Sequence, residues 1–344
     1  FLKNKSWRRP DVLGYNKGRR MTRPKQTLRL LGPLLILLCL GGPRSAAVCP
    51  GPQIEFPLLS GPYLGQEPPN ENPGIFALGI VCTGRYVLNA VFFPDLKEFY
   101  FSTMDSDKNY TILQMREIEG RWTRPRIAPF SGTFSDADPF ITPDGKNLLF
   151  PSDRPLSEGG DRADGYNIWV VDRTGSGWTD PRPLGPQVNL PGGIEIYPSV
   201  TRDRTLYFSS DREGGCGSSD IFRARYVNGK YAEPENLGKA INTPDREFDA
   251  FIAPDEAYLI FSSYRLRNGF GKSDLYISFR SGNGKWTPAI NMGELINSRG
   301  SEFSPMVSPD GKYLFFTSTR LGQSDIYWVD ATVLDRYRNR KEGP

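Results

Sequence analysis

The stretch Ser308-Pro309-Asp310-Gly311-Lys312-Tyr313-Leu314-Phe315-Phe316-Thr317-Ser318-Thr319-Arg320, followed by Asp325-Ile326-Tyr327, decides the fold because versions of it occur five times. The turn aspartates are Asp95, Asp144, Asp203, Asp255 and Asp310, spaced 49, 59, 52 and 55 residues apart. A period of about 50 residues is that of one four-stranded propeller blade. In the full Pro-Asp-Gly version, at Asp144 and Asp310, a proline fixes φ, the aspartate offers an Asx-type side-chain bond and a glycine takes positive φ, so the chain reverses in a tight hairpin. Alternating strands flank the turn, as in Tyr258-Leu259-Ile260-Phe261-Ser262 and Leu206-Tyr207-Phe208-Ser209.

A fourth strand is expected at Trp122–Pro125, Trp178–Pro181, Tyr231–Pro234 and Trp286–Pro288, where proline suits an outer edge. The fifth copy lacks such a segment after Ile326–Val329. Pro73–Val81 has the missing Pro-x-x-Leu-Gly pattern, so it is expected to complete the last blade and close the ring. The fold class is therefore all-β, a propeller of five four-stranded blades; six would follow if Gln53–Pro69 supplied more than an arm.

The repeat resembles the WD-like propeller repeat of the TolB C-terminal domain and of prolyl-oligopeptidase-type propellers, over residues 73–332. That resemblance implies the fold. It does not carry a role, because the family spans protein-binding scaffolds, sugar-pathway proteins and accessory domains of enzymes, and the flanking segments resemble neither the TolB N-terminal domain nor a hydrolase.

Glycine and proline together supply 36 and 30 of the 344 residues and aromatics 12%, a turn-rich composition in keeping with short strands. Lys and Arg exceed Asp and Glu only by 43 to 39, so no nucleic-acid partner is implied. The chain has no histidine, which excludes Ser-His-Asp and Cys-His nucleophile systems and His-ligated zinc or iron.

Residues 1–20 precede Met21 and read as an extension foreign to the fold. From Met21, basic residues lead into the apolar run Leu30–Leu40 and then Ser45-Ala46-Ala47, the order of a secretory signal peptide cleaved after Ala47. A membrane span, which needs roughly 20 apolar residues, is not expected in the mature chain. Export to the periplasm or exterior follows, with residues 48–72 as an arm, 73–335 as the propeller and 336–344 as a charged tail. Cys49 with Cys82 is the bridge that would tie arm to body, leaving Cys216 in a loop.

Residues that recur in every blade are read first as scaffold. Arg154, Arg212, Arg265 and Arg320 are expected to pair within their blades with Asn167, Asp220, Asp274 and Asp325. The tryptophans are expected between blades. A second set, Asp136, Asp138, Glu195, Glu247, Asp249 and Glu302, lies just before each turn, on the strand that lines a propeller's channel. These are the catalytic candidates if the protein is a glycosidase or polysaccharide lyase. Asp136, Glu195, Glu247 and Glu302 are a candidate calcium ring, since calcium takes about six to eight oxygen ligands and needs no histidine; the other reading is that each accepts hydrogen bonds from neighbouring backbone. Tyr197, Asp138, Asp249 and Arg246 are the candidate ligand contacts. The loop Ser157–Asp164 offers a further acidic, glycine-rich segment. Blade 1 departs from the pattern, with Val87 in place of the acid and Asp105 in place of the arginine. The leading functional expectation is a monomeric binding propeller for a protein, peptide or glycan at one face of the channel. The alternative is the carboxylate enzyme, and a structural envelope protein ranks third.

Overall fold

The structure is a computed structural model, and it describes residues 56–338 except 158, 176 and 265–268. The 1–20 extension, the signal sequence, Cys49, Arg265 and the last residues of the tail lie outside the described residues.

Five antiparallel blades follow in chain order. Blade 1 comprises Val87–Phe92, Glu98–Met104, Tyr110–Ile118 and Arg126–Ile127, with Arg121–Trp122 folding back on its third strand. Blade 2 comprises Phe140–Ile141, Asn147–Ser152, Asn167–Asp172 and Arg182–Pro183. Blade 3 is Glu195–Val200, Leu206–Ser210, Asp220–Ala224 and Glu235–Asn236, and blade 4 is Glu247–Ile252, Tyr258–Ser263, Asp274–Phe279 and Ile290–Asn291. Blade 5 takes Glu302–Val307, Tyr313–Ser318 and Asp325–Asp330 from the end of the repeat region. Its outer strand is Gly74–Ile75, which pairs with Trp328 and Tyr327 and closes the ring as the sequence predicts. The arm adds a second clasp: Tyr63 donates to Asp310 at 2.5 Å, and Trp122 Nε1 donates to the Gly61 carbonyl.

The repeated aspartate has one physical task. In every blade it accepts a backbone N–H two residues on, from Lys97, Lys146, Thr205, Ala257 and Lys312, locking the turn between first and second strands. The Ile-Asn signal has another. Asn189, Asn242 and Asn297 each bond both the N–H and the carbonyl of one third-strand residue, Ile168, Ile221 and Leu275, imitating an additional strand residue where the backbone leaves the sheet. In blade 5 the same pair of groups, on Ile326, is met by Cys82: the Ile326 N–H donates to Sγ at 3.3 Å, and the thiol faces the carbonyl at 3.8 Å. Cys82 thus stands as a buried free thiol in an asparagine's place, and burial pushes its pKa up to about 12; the pairing expected with Cys49 lies outside the described residues.

The Trp-Thr-x-Pro segments lie in the crossing ahead of the fourth strand rather than on it, because the proline has no N–H to pair. Their aromatic rings fill the seams between blades. Trp178 donates to Tyr100 of blade 1 at 2.9 Å, and Trp286 packs edge-on against Tyr207 of blade 3. Among the described residues no helix is long and apolar enough to cross a membrane.

Candidate functional site

Four candidate acids, Asp136, Glu195, Glu247 and Glu302, are fully buried inside their own blades. Arg154 grips Asp136 with both terminal nitrogens, at 2.6 and 3.2 Å, under the rings of Phe134, Phe150 and Trp169. Arg212 reaches Glu195 at 3.3 Å and Arg320 lies 3.7 Å from Glu302. Serines of the second strand, Ser210, Ser263 and Ser318, donate to Glu195, Glu247 and Glu302. The N–H groups of Leu190, Thr243 and Ser298, five or four residues upstream, complete the cradle. These carboxylates therefore fasten the loop entering each blade to its first two strands. Arg154, Arg212 and Arg320 pair with them and not with Asn167, Asp220 or Asp325, and Asp220, Asp274 and Asp325 accept backbone or amide N–H groups; the pairing expected of Arg265 lies outside the described residues. Burial raises the carboxyls of Asp136 and Glu302 above the ordinary range and that of Glu195 to about 7, against the lowering pull of Arg154, Arg320 and Arg212. Among the described residues no group of three or more His, Cys, Asp or Glu side chains is placed to hold a metal ion, and each of the four acids is bonded within its own blade.

The first strands instead meet through a different ring. Each carries, or in blade 2 is closely preceded by, one residue with left-handed φ: Asn89, Asp138, Tyr197, Asp249 and Ser304, at 44 to 59°. In four of the blades this residue sits within the register shift between first and second strands, a β-bulge that turns its side chain toward the neighbouring blades. Asn89 donates to the Pro139 carbonyl of blade 2, and Ser304 donates through N–H and hydroxyl to Asp249 of blade 4. Tyr197 reaches past blade 4 to donate to the Pro305 carbonyl of blade 5 at 2.6 Å. Asp138 is buried with its N–H on Ser102. Tyr197, Asp138 and Asp249 thus sit together on the innermost strands, in a buried, bonded ring. Arg246 stands apart, half-buried at the end of blade 4's first strand remote from the turn, over the rings of Phe248 and Tyr264.

The open space lies at the turn end of the channel. A cavity of about 410 Å³ draws its walls from all five blades. Phe92, Phe140, Phe251, Met306 and Val307 make an apolar floor, and Pro94, Pro143, Pro254 and Pro309 stiffen the rim. Its polar groups are Arg202, Tyr258 and the turn carboxylates Asp255 and Asp310, which accept the Ala257 N–H and the Tyr63 hydroxyl; burial pushes the Tyr258 phenol up to about 12. Arg202 is exposed and forms no ion pair among the described residues. The sequence reading missed this site because it sought acids, whereas the signal was Arg202 replacing the turn proline. In the Ser157–Asp164 loop, Arg162 folds back onto Asp153 and the Phe134 ring, leaving Asp161 and Asp164 exposed.

Fold and cavity together define a five-bladed β-propeller whose channel mouth has an apolar floor and a rim carrying Arg202, Asp255 and Asp310. No family model and no curated protein matches the chain. Among solved structures it is similar to a TolB-type protein from Agrobacterium tumefaciens, at 17% identity and TM-score 0.45, covering 68% of this chain and 70% of that one. TolB from Acinetobacter baumannii gives 16% and 0.45, with 71% of this chain matched but only 54% of that protein, so the chain spans about half its length. A gluconolactonase from Xanthomonas campestris gives 13% and 0.41, covering 79% and 97%. The count of five blades rests on the strand pairing alone.

Proposed function

We propose that the chain is an exported, non-catalytic binding propeller whose channel mouth at the Pro-Asp-Gly turns captures a peptide segment presenting an apolar side chain beside a carboxylate. One observation carries the reading: the cavity that all five blades share has an apolar floor and one cation, Arg202, without an ion pair among the described residues, while its two carboxylates, Asp255 and Asp310, accept the Ala257 N–H and the Tyr63 and Ser308 hydroxyls. An apolar floor rewards a buried hydrophobic side chain, and a lone guanidinium at its edge orients a carboxylate. The alternative, a carboxylate glycosidase or lyase, needs two acids facing one substrate with separated pKa values. Support for it is weaker, because Asp136, Glu195, Glu247, Glu302 and Asp249 each accept hydrogen bonds within the scaffold.

The test is a peptide array probed with the mature protein and with Arg202→Glu and Met306→Arg variants, run beside a glycan array and a polysaccharide-degradation screen. Binding to peptides that pair an apolar residue with an acid, lost in both variants, is the expected result. Polysaccharide cleavage abolished in a folded Glu195→Gln protein would establish the enzyme instead.

A further inference from the structure

Two of the seams between blades are electrically closed. At the seam of blades 1 and 2, Glu98 receives Arg173 and the hydroxyl of Tyr100, with Trp178 packed over them. At the seam of blades 3 and 4, Glu256 pairs with Arg280 and accepts from Tyr207 at 2.7 Å, with Trp286 against Tyr207. The seam of blades 2 and 3 departs from this plan at four points. Asn147 stands at the repeat position of Glu98, removing the acid. Tyr231 stands where blades 1, 2 and 4 carry tryptophan, leaving space a larger ring would fill. The blade 3 turn reads Thr201-Arg202-Asp203-Arg204, with arginine in place of both the proline and the glycine of blades 2 and 5. The hairpin of Tyr226–Val227 with Lys230–Tyr231 then brings one more cation over the seam.

Arg204 is held at φ 70°, the value Gly145 takes in blade 2, a left-handed conformation that a residue with a Cβ adopts only under strain. Leu96 and Glu256 take the same φ in blades 1 and 4, but Glu256 is fully engaged in its seam. Arg204 instead lies 4.1 Å from the Tyr226 ring and, like Arg202 and Lys230, forms no ion pair among the described residues. The acids nearby are committed: Asp172 pairs with Arg182 at 3.0 Å, and Asp144 is bonded by Thr142 and the Lys146 N–H.

These departures surround a cavity of about 350 Å³ lined by Asn147, Arg182, Arg204, Tyr226, Lys230 and Tyr231. It shares Thr142, Asn147 and Arg204 with a second cavity of about 260 Å³, which in turn shares Thr142, Pro143 and Arg202 with the channel mouth. The three spaces form one path across the turn face: an apolar floor with Arg202 and the hydrogen-bonded Asp255 and Asp310 at the centre, Asp144 beside Arg202 and Arg204 in the middle, and only cations, Arg182, Arg204 and Lys230, at the outer end.

We infer that the ligand of the channel mouth is an extended acidic peptide: its apolar residue anchors at the centre, and a run of Asp or Glu lies outward along Arg202, Arg204 and Lys230. This rests on the peptide reading above and adds the ligand's charge and direction. Tyrosine faces beside the cations give the extended backbone a flat surface, and unpaired guanidinium and ammonium groups attract carboxylates with a salt-sensitive strength.

The experiment measures fluorescence polarisation with three labelled probes: a Phe-(Glu)4 peptide, its Phe-(Gln)4 counterpart and an alginate tetrasaccharide. The Glu peptide is expected to bind at least tenfold more tightly than the Gln peptide at low salt, with the advantage fading by 0.5 M NaCl. An Arg204→Glu/Lys230→Glu double variant, altered only at exposed positions, is expected to abolish that advantage while leaving the Gln peptide's affinity unchanged. Equal affinity for both peptides, or an advantage that survives the double variant, overturns the acidic-path inference and leaves the channel-mouth reading standing. Binding of neither peptide overturns both. Binding of the tetrasaccharide alone, lost in the double variant, overturns the peptide class in favour of an acidic glycan.

Discussion

Blades 1 and 2 descend from one repeat and solve the same problem differently. Blade 2 fastens its entry loop with a buried ion pair, Asp136 with Arg154, roofed by three aromatic rings. Blade 1 has neither charge. Val87 lies buried on its first strand, bonded to Ser324 of blade 5, and Asp105 merely accepts the Asp107 and Asn109 N–H groups in a surface turn. The backbone bond from Val87 to Ser324 is the one that Asp136, Glu195, Glu247 and Glu302 make to Tyr110, Tyr166, Ser219 and Ser273 of the preceding blades, so blade 1 keeps the bond common to all five and lacks only the charged brace. Recurrence marked scaffold; departure marked a change in local chemistry, here harmless and at the seam of blades 2 and 3 productive.

The comparison breaks most visibly at Arg154. Arg154→Ala strands a buried carboxylate and should cost about 3–5 kcal/mol in chemical denaturation; a loss under about 1 kcal/mol would mean the brace is ornamental. Next in size is a pH effect at the blade 3 brace. Because the folded protein holds Glu195 at about 7 while the unfolded chain titrates near the ordinary value of 4.5, the folded state keeps a proton that the unfolded state releases. Stability should therefore fall as pH rises from about 4.5 to 7, by about 3 kcal/mol, and Glu195→Gln should flatten that fall. Tyr197→Phe removes the hydroxyl that spans to Pro305 and should cost about 1 kcal/mol, read as an earlier denaturation midpoint with unchanged slope. Asp105→Ala, the counterpart of Arg154→Ala in blade 1, should cost about 0.5 kcal/mol; a loss rivalling that of Arg154→Ala would erase the contrast between the blades.

The blade count and the closing strand were legible because turn chemistry is local: Pro-Asp-Gly states its own geometry, and Pro73–Val81 carries the same outer-strand signature as the interior blades. The arginine partners were misread because sequence proximity favoured Asp220 or Asp325, whereas Arg154 meets an acid 18 residues upstream. Strand direction within the blade decides that, and it is invisible without the sheet. The bulge ring left only a partial trace: Asp138, Tyr197 and Asp249 stand among the candidate ligand contacts, but what unites them with Asn89 and Ser304 is a backbone angle and not one side-chain type. The basic seam did leave one, in Arg202 and Arg204 displacing proline and glycine, but its cavity exists only where that turn meets a hairpin more than 20 residues later.

The clasp between the arm and blade 5 also sets an order of events in time. Tyr63 and Asp310 are 247 residues apart, and bringing such ends together costs about 5 kcal/mol of chain entropy. Ring closure is therefore a late step in folding. Until it happens, the third strand of blade 5 presents an open edge and Gly74–Ile75 has no partner. Two chains caught at that stage hold complementary halves of the same joint, so protein concentration during refolding sets the division between closed single rings and strand-exchanged pairs.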